Sequence, residues 1–239
     1  MSLKPFLEKL NKGKLNKQEA FMMQGVILDG NFDTQGLVYV FEILNIRNGV
    51  PTGLYEEEMQ GIFEASIKRS VSFKKLDFET IDIVGTGGDG FNTLNISTIA
   101  ALESSKQGLK VTKHGNRSSS SKCGSADFLE VLGYYIEATP DKAYENLIDT
   151  SFTFLYAKTY HPAFRFAAPA RKEFGKRTYF NYLGPLLNPA RPNFMLLGIG
   201  GDFNAHKVMG PVLINSGVKK VWFIQSAEGL DELSPTSKN

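Results

Sequence analysis

Cysteine is nearly absent. The 239 residues hold Cys123 alone, which excludes an internal disulfide framework and any zinc or iron–sulfur centre built from several thiolates. Net charge is nearly absent too. The 27 Lys and Arg residues stand against 25 Asp and Glu, a formal +2, which argues against a chain whose bulk property is coating nucleic acid or an anionic membrane. No apolar run approaches the roughly 18 residues that a membrane helix needs. The first residues place Lys4, Glu8 and Lys9 where a signal peptide needs an apolar stretch, so no signal peptide is expected and the cytoplasm is the expected location. With 22% charged and 42% hydrophobic residues, the composition is that of a soluble folded chain rather than a disordered one. What the chain does hold is glycine, 23 in all, and many of the 23 stand in clusters.

The rhythm of the sequence changes near residues 70–80. Before that point it reads as helical. Asn16 with Glu19 three residues later is a capping-box pattern ahead of Phe21, Met22, Met23, Val26 and Ile27. Asp33 starts a second periodic stretch through Leu37, Val40, Phe41 and Leu44, and Thr52 opens a third through Leu54, Met59, Ile62 and Phe63. After residue 80, short β-rich runs (81–84, 109–112, 152–156, 194–199 and 221–224) alternate with helical stretches (97–107, 126–132, 140–148, 162–174 and 205–215). Such alternation predicts a mainly parallel sheet covered by helices. The expected organisation is a small helical domain over 1–75 and an α/β domain over 76–239. Because the strand at 221–224 has no returning helix after it, the α/β domain is expected to be incomplete at its C-terminus.

The first strand runs into Gly85-Thr86-Gly87-Gly88-Asp89-Gly90. A glycine-rich turn at the carboxyl end of a parallel strand is where an open α/β sheet places its ligand, and glycine lets backbone N–H groups face an anion. No Gly-Lys-Ser/Thr follows, so this is no Walker loop, and the next helix begins too late for the dinucleotide fingerprint. A tight loop without a ligand is the ordinary alternative. Asn95-Ile96-Ser97-Thr98 then opens a helix, whose N-terminal N–H groups and hydroxyls suit either a simple cap or a phosphate. Residues 103–122 carry Lys106, Lys110, Lys113, Arg117 and Lys122 against Glu103 alone. Within them, Lys113-His114-Gly115-Asn116-Arg117 followed by Ser118, Ser119, Ser120 and Ser121 reads as a loop after the second strand, and cations, glycines and hydroxyls in one loop suit a polyphosphate.

Gly85-Thr86-Gly87-Gly88-Asp89, Asn95-x-Ser97-Thr98, Lys113-His114-Gly115-Asn116-Arg117 and Gly124-Ser125-Ala126-Asp127 are a series that resembles the anthranilate phosphoribosyltransferases of tryptophan biosynthesis. The likeness continues through His161-Pro162, Arg171, Asn181-x-Leu183-Gly184-Pro185-Leu186-x-Asn188-Pro189 and Gly229-Leu230-Asp231-Glu232. The resemblance implies transfer of a phosphoribosyl group from phosphoribosyl pyrophosphate (PRPP) to the amino group of anthranilate. It implies that Gly85, Gly88, Asp89, Thr93, Asn95, Ile96, Ser97, Thr98, the 113–121 segment (Lys113, His114, Gly115, Asn116, Arg117 and Ser118 to Ser121) and Ser125 hold PRPP. Gly85, Asn116, His161 and Arg171 are implied to contact anthranilate, and Ser97, Asp231 and Glu232 to bind Mg²⁺. It implies a homodimer through the N-terminal helices, with neither a membrane nor nucleic acid as partner.

The chemistry fits those residues. Pyrophosphate leaves readily only when its charge is neutralised, as Mg²⁺ and Lys113 can do. An aromatic amine is already neutral at pH 7, so no catalytic base is required, and His114 and His161 read as contact residues. Arg171 offers a planar fork for a carboxylate. Cys123 stands where the family often has Ser, and Arg165 where relatives vary. Two other readings remain open at this point: an enzyme like the pyrimidine nucleoside phosphorylases, and a non-catalytic relative that binds nucleic acid through Lys158, Arg165, Arg171, Lys172, Lys176 and Arg177.

Overall fold

A computed structural model of the chain describes residues 2–47, 52–87, 94–118 and 123–234. In chain order its elements are α1 (Lys4–Leu10), α2 (Lys17–Leu28), α3 (Thr34–Asn45), α4 (Glu56–Lys68), β1 (Ile81–Gly85), α5 (Ile96–Lys106), β2 (Val111–Gly115), α6 (Ser125–Val131), α7 (Pro140–Thr150), β3 (Phe152–Tyr156), α8 (Ala157–Tyr160), α9 (Ala168–Phe174), α10 (Tyr179–Leu183), β4 (Phe194–Gly198), α11 (His206–Asn215) and β5 (Lys220–Ile224). Short 3₁₀ turns cover Pro162–Ala167, Gly184–Leu187 and Phe203–Ala205. No helix among the described residues is long and apolar enough to cross a membrane.

Contacts divide the chain into two compact units that interleave along the sequence. The first gathers residues 1–70, 161–187 and 204–212, and the second gathers 71–160, 188–203 and 213–239. The expected division at 75/76 follows chain order, whereas two later segments group with the N-terminal helices.

In the first unit the helix starts follow their caps. Asn16 Oδ1 accepts the Glu19 N–H at 2.9 Å while Glu19 accepts the Asn16 N–H at 3.0 Å, the reciprocal capping box. Asp33 caps α3 through the Gly36 N–H at 2.7 Å. The helix expected to open at Thr52 is α4 and begins at Glu56, because the Thr52 hydroxyl is spent on a turn with Leu54. Glu58, fully buried, instead ties the entrance of α4 by accepting the Tyr55 N–H at 2.9 Å and the Leu15 N–H at 2.8 Å, and it pairs with Arg47 at 2.6 Å. The 161–187 segment packs here through aromatic contacts. Phe41 of α3 meets Phe174, Tyr179 and Phe180 edge-on or tilted, with centroids 5.6–6.0 Å apart. The Tyr179 hydroxyl donates to Gln24 of α2 at 2.8 Å, and Gln24 donates to Ser66 of α4 at 3.1 Å. The stretch 162–174, expected as one helix, is a 3₁₀ turn followed by α9. Pro169 has no N–H to continue the ladder and is accommodated only in the first turn of a new helix.

The second unit is built on a five-stranded sheet, entirely parallel, in the order β3-β2-β1-β4-β5. Its core joins Ile83, Val111, Phe152 and Phe154 of the strands to Ala101 of α5 and Leu129 of α6. β2 lies two to three residues later than the 109–112 expected from the sequence. Leu109 bonds back to Ser104 to finish α5 and is half exposed, and pairing with all five residues of β3 carries β2 through Gly115. Lys113 and His114 are therefore strand residues, not loop residues. The strand order reverses beside β1, and the carboxyl ends of the strands at such a reversal are where open α/β sheets bind ligands.

Candidate active site

The described part of the glycine loop leaves β1 through Thr86. Its N–H donates to the Gly198 carbonyl at 2.9 Å and its hydroxyl accepts the Gly200 N–H at 2.8 Å. Gly87 then takes φ +62°, a left-handed conformation that glycine adopts without strain, and its N–H donates to Asp231 Oδ2 at 2.7 Å. Asp231 rests on two glycines that are register partners, Gly85 of β1 and Gly198 of β4. A β-carbon on Gly85 would lie 2.6 Å from the Asp231 carboxylate, and one on Gly198 would overlap the Asp231 carbonyl. The neighbouring Glu232 accepts the Ser97 N–H at 3.2 Å. The acidic pair is thus anchored by the glycine loop on one side and by the start of α5 on the other, where helix N–H groups favour negative charge.

Asn95 is the residue that precedes α5; Ile96 opens the helix half exposed, Ser97 follows, and Thr98 is buried at the third position. Asn95 reaches the Cys123 carbonyl at 3.4 Å, which ties this helix start to the segment after β2. There, Gly115 leaves no room for a side chain because a β-carbon would overlap Ser125 Oγ, and that hydroxyl donates to the Asn116 carbonyl at 3.2 Å. Asp127 Oδ2 accepts the N–H groups of both Ser118 (3.0 Å) and Gly124 (2.8 Å). Arg117 is occupied by α6, bridging Asp127 at 3.0 Å and Glu130 at 2.7 Å. Gly88, Asp89, Thr93, Ser119, Ser120 and Ser121 lie outside the described residues.

Lys113 is only 2% exposed. Its Nζ donates to the Ile83 carbonyl at 2.6 Å. Burial lowers its pKa, and the carboxylates of Asp82 and Glu232 oppose that fall. Asp82 is fully buried on β1, and burial pushes its carboxyl up to about 6 against the pull of Lys113, Asn188 and the His114 N–H. His114, beside Lys113 on β2, is buried as well.

Of the four residues assigned to the acceptor, His161 and Arg171 belong to the first unit, and Gly85 and Asn116 to the second. His161 Nε2 contacts the Leu187 carbonyl at 2.9 Å, and burial drives its pKa down to about 4. Arg171 is half-buried on α9 with its guanidinium 5.3 Å from the Phe180 ring centre. Burial lowers its pKa, opposed by Tyr179. Among the described residues, no hydrogen bond or ion pair takes its guanidinium.

Residues 77–239 match the model of the glycosyl transferase family, a/b domain. Over 222 residues the chain is 42% identical to the anthranilate phosphoribosyltransferase of Colwellia psychrerythraea, covering 92% of this chain and 59% of that protein. It is 41% identical to the enzyme of the same name from Geobacillus thermodenitrificans, covering 97% of this chain and 67% of that protein. The chain belongs to the anthranilate phosphoribosyltransferase family. It spans about three-fifths to two-thirds of the length of these relatives. Among solved structures, the family member from Saccharomyces cerevisiae in complex with PRPP and Mg superposes with a TM-score of 0.86 at 29% identity, covering 98% of this chain and 68% of that one. A variant of the yeast enzyme in complex with 4-fluoroanthranilate gives 0.82 at 27% identity, over 98% and 67% of the two chains. These comparisons favour neither the nucleoside phosphorylase nor the nucleic-acid reading.

Three residues that the structure joins to the candidate site residues carry no assigned role in the sequence analysis: Asp82, Asn188 and Gly198. Asp82 stood inside a β-rich run, and its only signal was a lone carboxylate in an otherwise apolar strand. Asn188 was visible as part of a motif without a task. Gly198 ended a strand and gave no signal.

Proposed function

We propose that this chain transfers the phosphoribosyl group of PRPP to the amino group of anthranilate, giving N-(5-phosphoribosyl)anthranilate and pyrophosphate. The observation that carries the reading is the joining of the glycine loop, the α5 start and the acidic pair by Gly87–Asp231 and Ser97–Glu232 over the carboxyl end of a parallel sheet. Family membership and the yeast relative solved with PRPP and Mg support it.

In this reading Gly85, the Asn95–Thr98 turn, Lys113 to Ser118 and Ser125 bind PRPP, together with Gly88, Asp89, Thr93 and Ser119 to Ser121. Backbone N–H groups and hydroxyls dominate that list, as suits an anion that must be released again as pyrophosphate. The side chains of Asp231, Glu232 and Ser97 are hard oxygen donors, and backbone N–H groups hold both carboxylates at one place, a donor set of the kind Mg²⁺ takes alongside substrate phosphates. Mg²⁺ held by these three residues supplies charge neutralisation to the leaving pyrophosphate.

The bond from ribose C1 to the pyrophosphate oxygen breaks, the bond from C1 to the anthranilate nitrogen forms, and the nitrogen gives its proton to solvent. Positioning and electrostatics suffice, because the nucleophile is neutral. His161, its pKa lowered by burial, stays uncharged and contacts anthranilate rather than acting as its base, alongside Gly85 and Asn116. Arg171, lying against Phe180 with no carboxylate partner among the described residues, pairs with the anthranilate carboxylate.

The decisive measurement follows anthranilate fluorescence in the presence of PRPP and Mg²⁺. Loss of signal that requires both additions is expected, and a constant signal overturns the reading. The same reading makes the protein a cytoplasmic homodimer joined through its N-terminal helices, where Tyr39 on α3 and the flanking Ile46 and Tyr55 are exposed. Light scattering that returns a monomer at micromolar concentration removes the dimer.

A further inference from the structure

β1 and β2 run side by side, yet their register is carried by Ile81 and Val111 alone, whereas β1 with β4 and β2 with β3 each pair over five residues. The Ile81 N–H donates to the Lys110 carbonyl at 3.0 Å. In a parallel ladder the next rung would join the Ile83 N–H to the Thr112 carbonyl and the His114 N–H to the Ile83 carbonyl. Three of these four backbone groups have a side-chain partner. The His114 N–H donates to Asp82 Oδ1 at 3.3 Å. The Thr112 carbonyl accepts from Asn188 Nδ2 at 2.7 Å. The Ile83 carbonyl accepts from Lys113 Nζ at 2.6 Å.

Asn188 completes the set. Its Nδ2 also donates to Asp82 Oδ2 at 2.8 Å, and its Oδ1 accepts the Ala190 N–H at 2.9 Å. Asp82, Lys113 and Asn188 are at most 2% exposed. Buried polar groups persist where their hydrogen bonds are made, and here Asn188 bonds Asp82 while the three side chains take up three of the four backbone groups of the missing rung. An apolar pair could cover the same surface, but it could not occupy Thr112, Ile83 and His114 at once, and their unpaired backbone groups would draw the strands together.

We propose that Asp82 and Asn188 are positioning residues for the PRPP site, replacing one rung of the β1–β2 ladder so that the sheet stays open at Lys113. The two residues flanking Lys113 are both held, Thr112 by Asn188 and His114 by Asp82. Lys113 is thereby fixed in the gap between the strands that lead to the glycine loop and to Asn116. The separation of those two loops follows from the same opening. This proposal rests on the reading of the strand-end loops as the PRPP site.

The test compares Asn188→Ala and the milder Asp82→Asn with Leu147→Ala, which destabilises the same unit from α7. Two readouts are taken on folded protein. The first is labelling of Lys113 by an amine-reactive reagent, mapped by mass spectrometry. The second is the KM for PRPP against the KM for anthranilate. Labelling is expected to rise about tenfold or more in both site variants as the rung reorganises, with no rise in Leu147→Ala. The PRPP KM is expected to rise about tenfold or more while that for anthranilate stays within about twofold. Protection of Lys113 in both site variants, or an equal rise in the two KM values, overturns the proposal. If the unaltered chain turns over no PRPP, the functional reading falls, and Lys113 labelling alone then decides whether Asp82 and Asn188 position it.

Discussion

Asp231 lies directly on Gly198. The aspartate carbonyl takes the space that any β-carbon at residue 198 would fill, and the paired Gly85 leaves room in the same way for the Asp231 carboxylate. The acidic loop and the ends of β1 and β4 are therefore one packing unit. Gly198→Ala is expected to displace the 231–232 segment and to cost about 1–3 kcal/mol of stability from overpacking. Urea unfolding measures that cost, and phosphoribosyl transfer at saturating Mg²⁺ should fall far more than the soluble folded fraction does. Full activity in a folded Gly198→Ala protein contradicts this packing.

Arg171 supplies a second prediction. Arg171→Ala should raise the anthranilate KM by roughly 10- to 100-fold, the loss of a charge-assisted pair worth about 1.5–3 kcal/mol. The PRPP KM should change little. Equal increases in both constants would assign Arg171 to general structure instead of acceptor binding.

For the acidic pair, the Mg²⁺ concentration dependence of turnover is the informative curve. Asp231→Ala combined with Glu232→Ala should shift its midpoint upward by about tenfold or more, because one or two carboxylates are the usual protein contribution to a Mg²⁺ site. An unshifted midpoint removes both residues from the metal site.

His161 makes stability depend on pH. Its folded-state pKa, about 4, lies below the ordinary value of 6.5. Its contribution is therefore complete above pH 6.5 and is lost as pH falls toward 4, where the unfolded chain binds a proton that the folded one refuses. The loss between about pH 7.5 and about pH 5 is about 2 kcal/mol. Asp82 acts in the opposite direction, since its raised pKa contributes stability that is lost as pH rises through about 6. The difference between native protein and His161→Gln, by urea unfolding at the two pH values, isolates the histidine. Parallel pH profiles would show that His161 is protonated equally in the folded and unfolded states.

The alternation of β-rich runs and helical stretches made the parallel sheet legible, because each strand is bounded by a glycine or a cap that a local pattern can show. The misplacement of β2 has a long-range cause. Lys113 and His114 look like loop residues to any local rule, and only the counter-charges and acceptors on β1 and near Asn188 make them acceptable inside a sheet. The same holds for Asp82, whose partners stand 32 and 106 residues away in sequence. Arg117 was read as one cation among several in a phosphate loop. Its pairing with Asp127 and Glu130 depends on α6 folding back beside that loop. Pro169 stands in plain view in the sequence and accounts for the split of one expected helix into a turn and α9, whereas the packing of Phe174 and Tyr179 against Phe41 joins residues far apart in the chain and leaves no local pattern.

The interleaving of the two units has a consequence for how the chain is made. The helical unit draws on residues as far along as 212, and the sheet unit spans 71–239. Neither can be completed by a ribosome that has released only the N-terminal third, although α1 to α4 lie entirely within it. Completing either unit therefore requires contacts of long sequence separation, which form slowly. A gene cut near residue 75 would not divide the protein into two self-sufficient pieces. Its helical fragment would leave Phe41 and Gln24 without the aromatic partners that 161–187 brings, and such exposed apolar surface favours aggregation during synthesis.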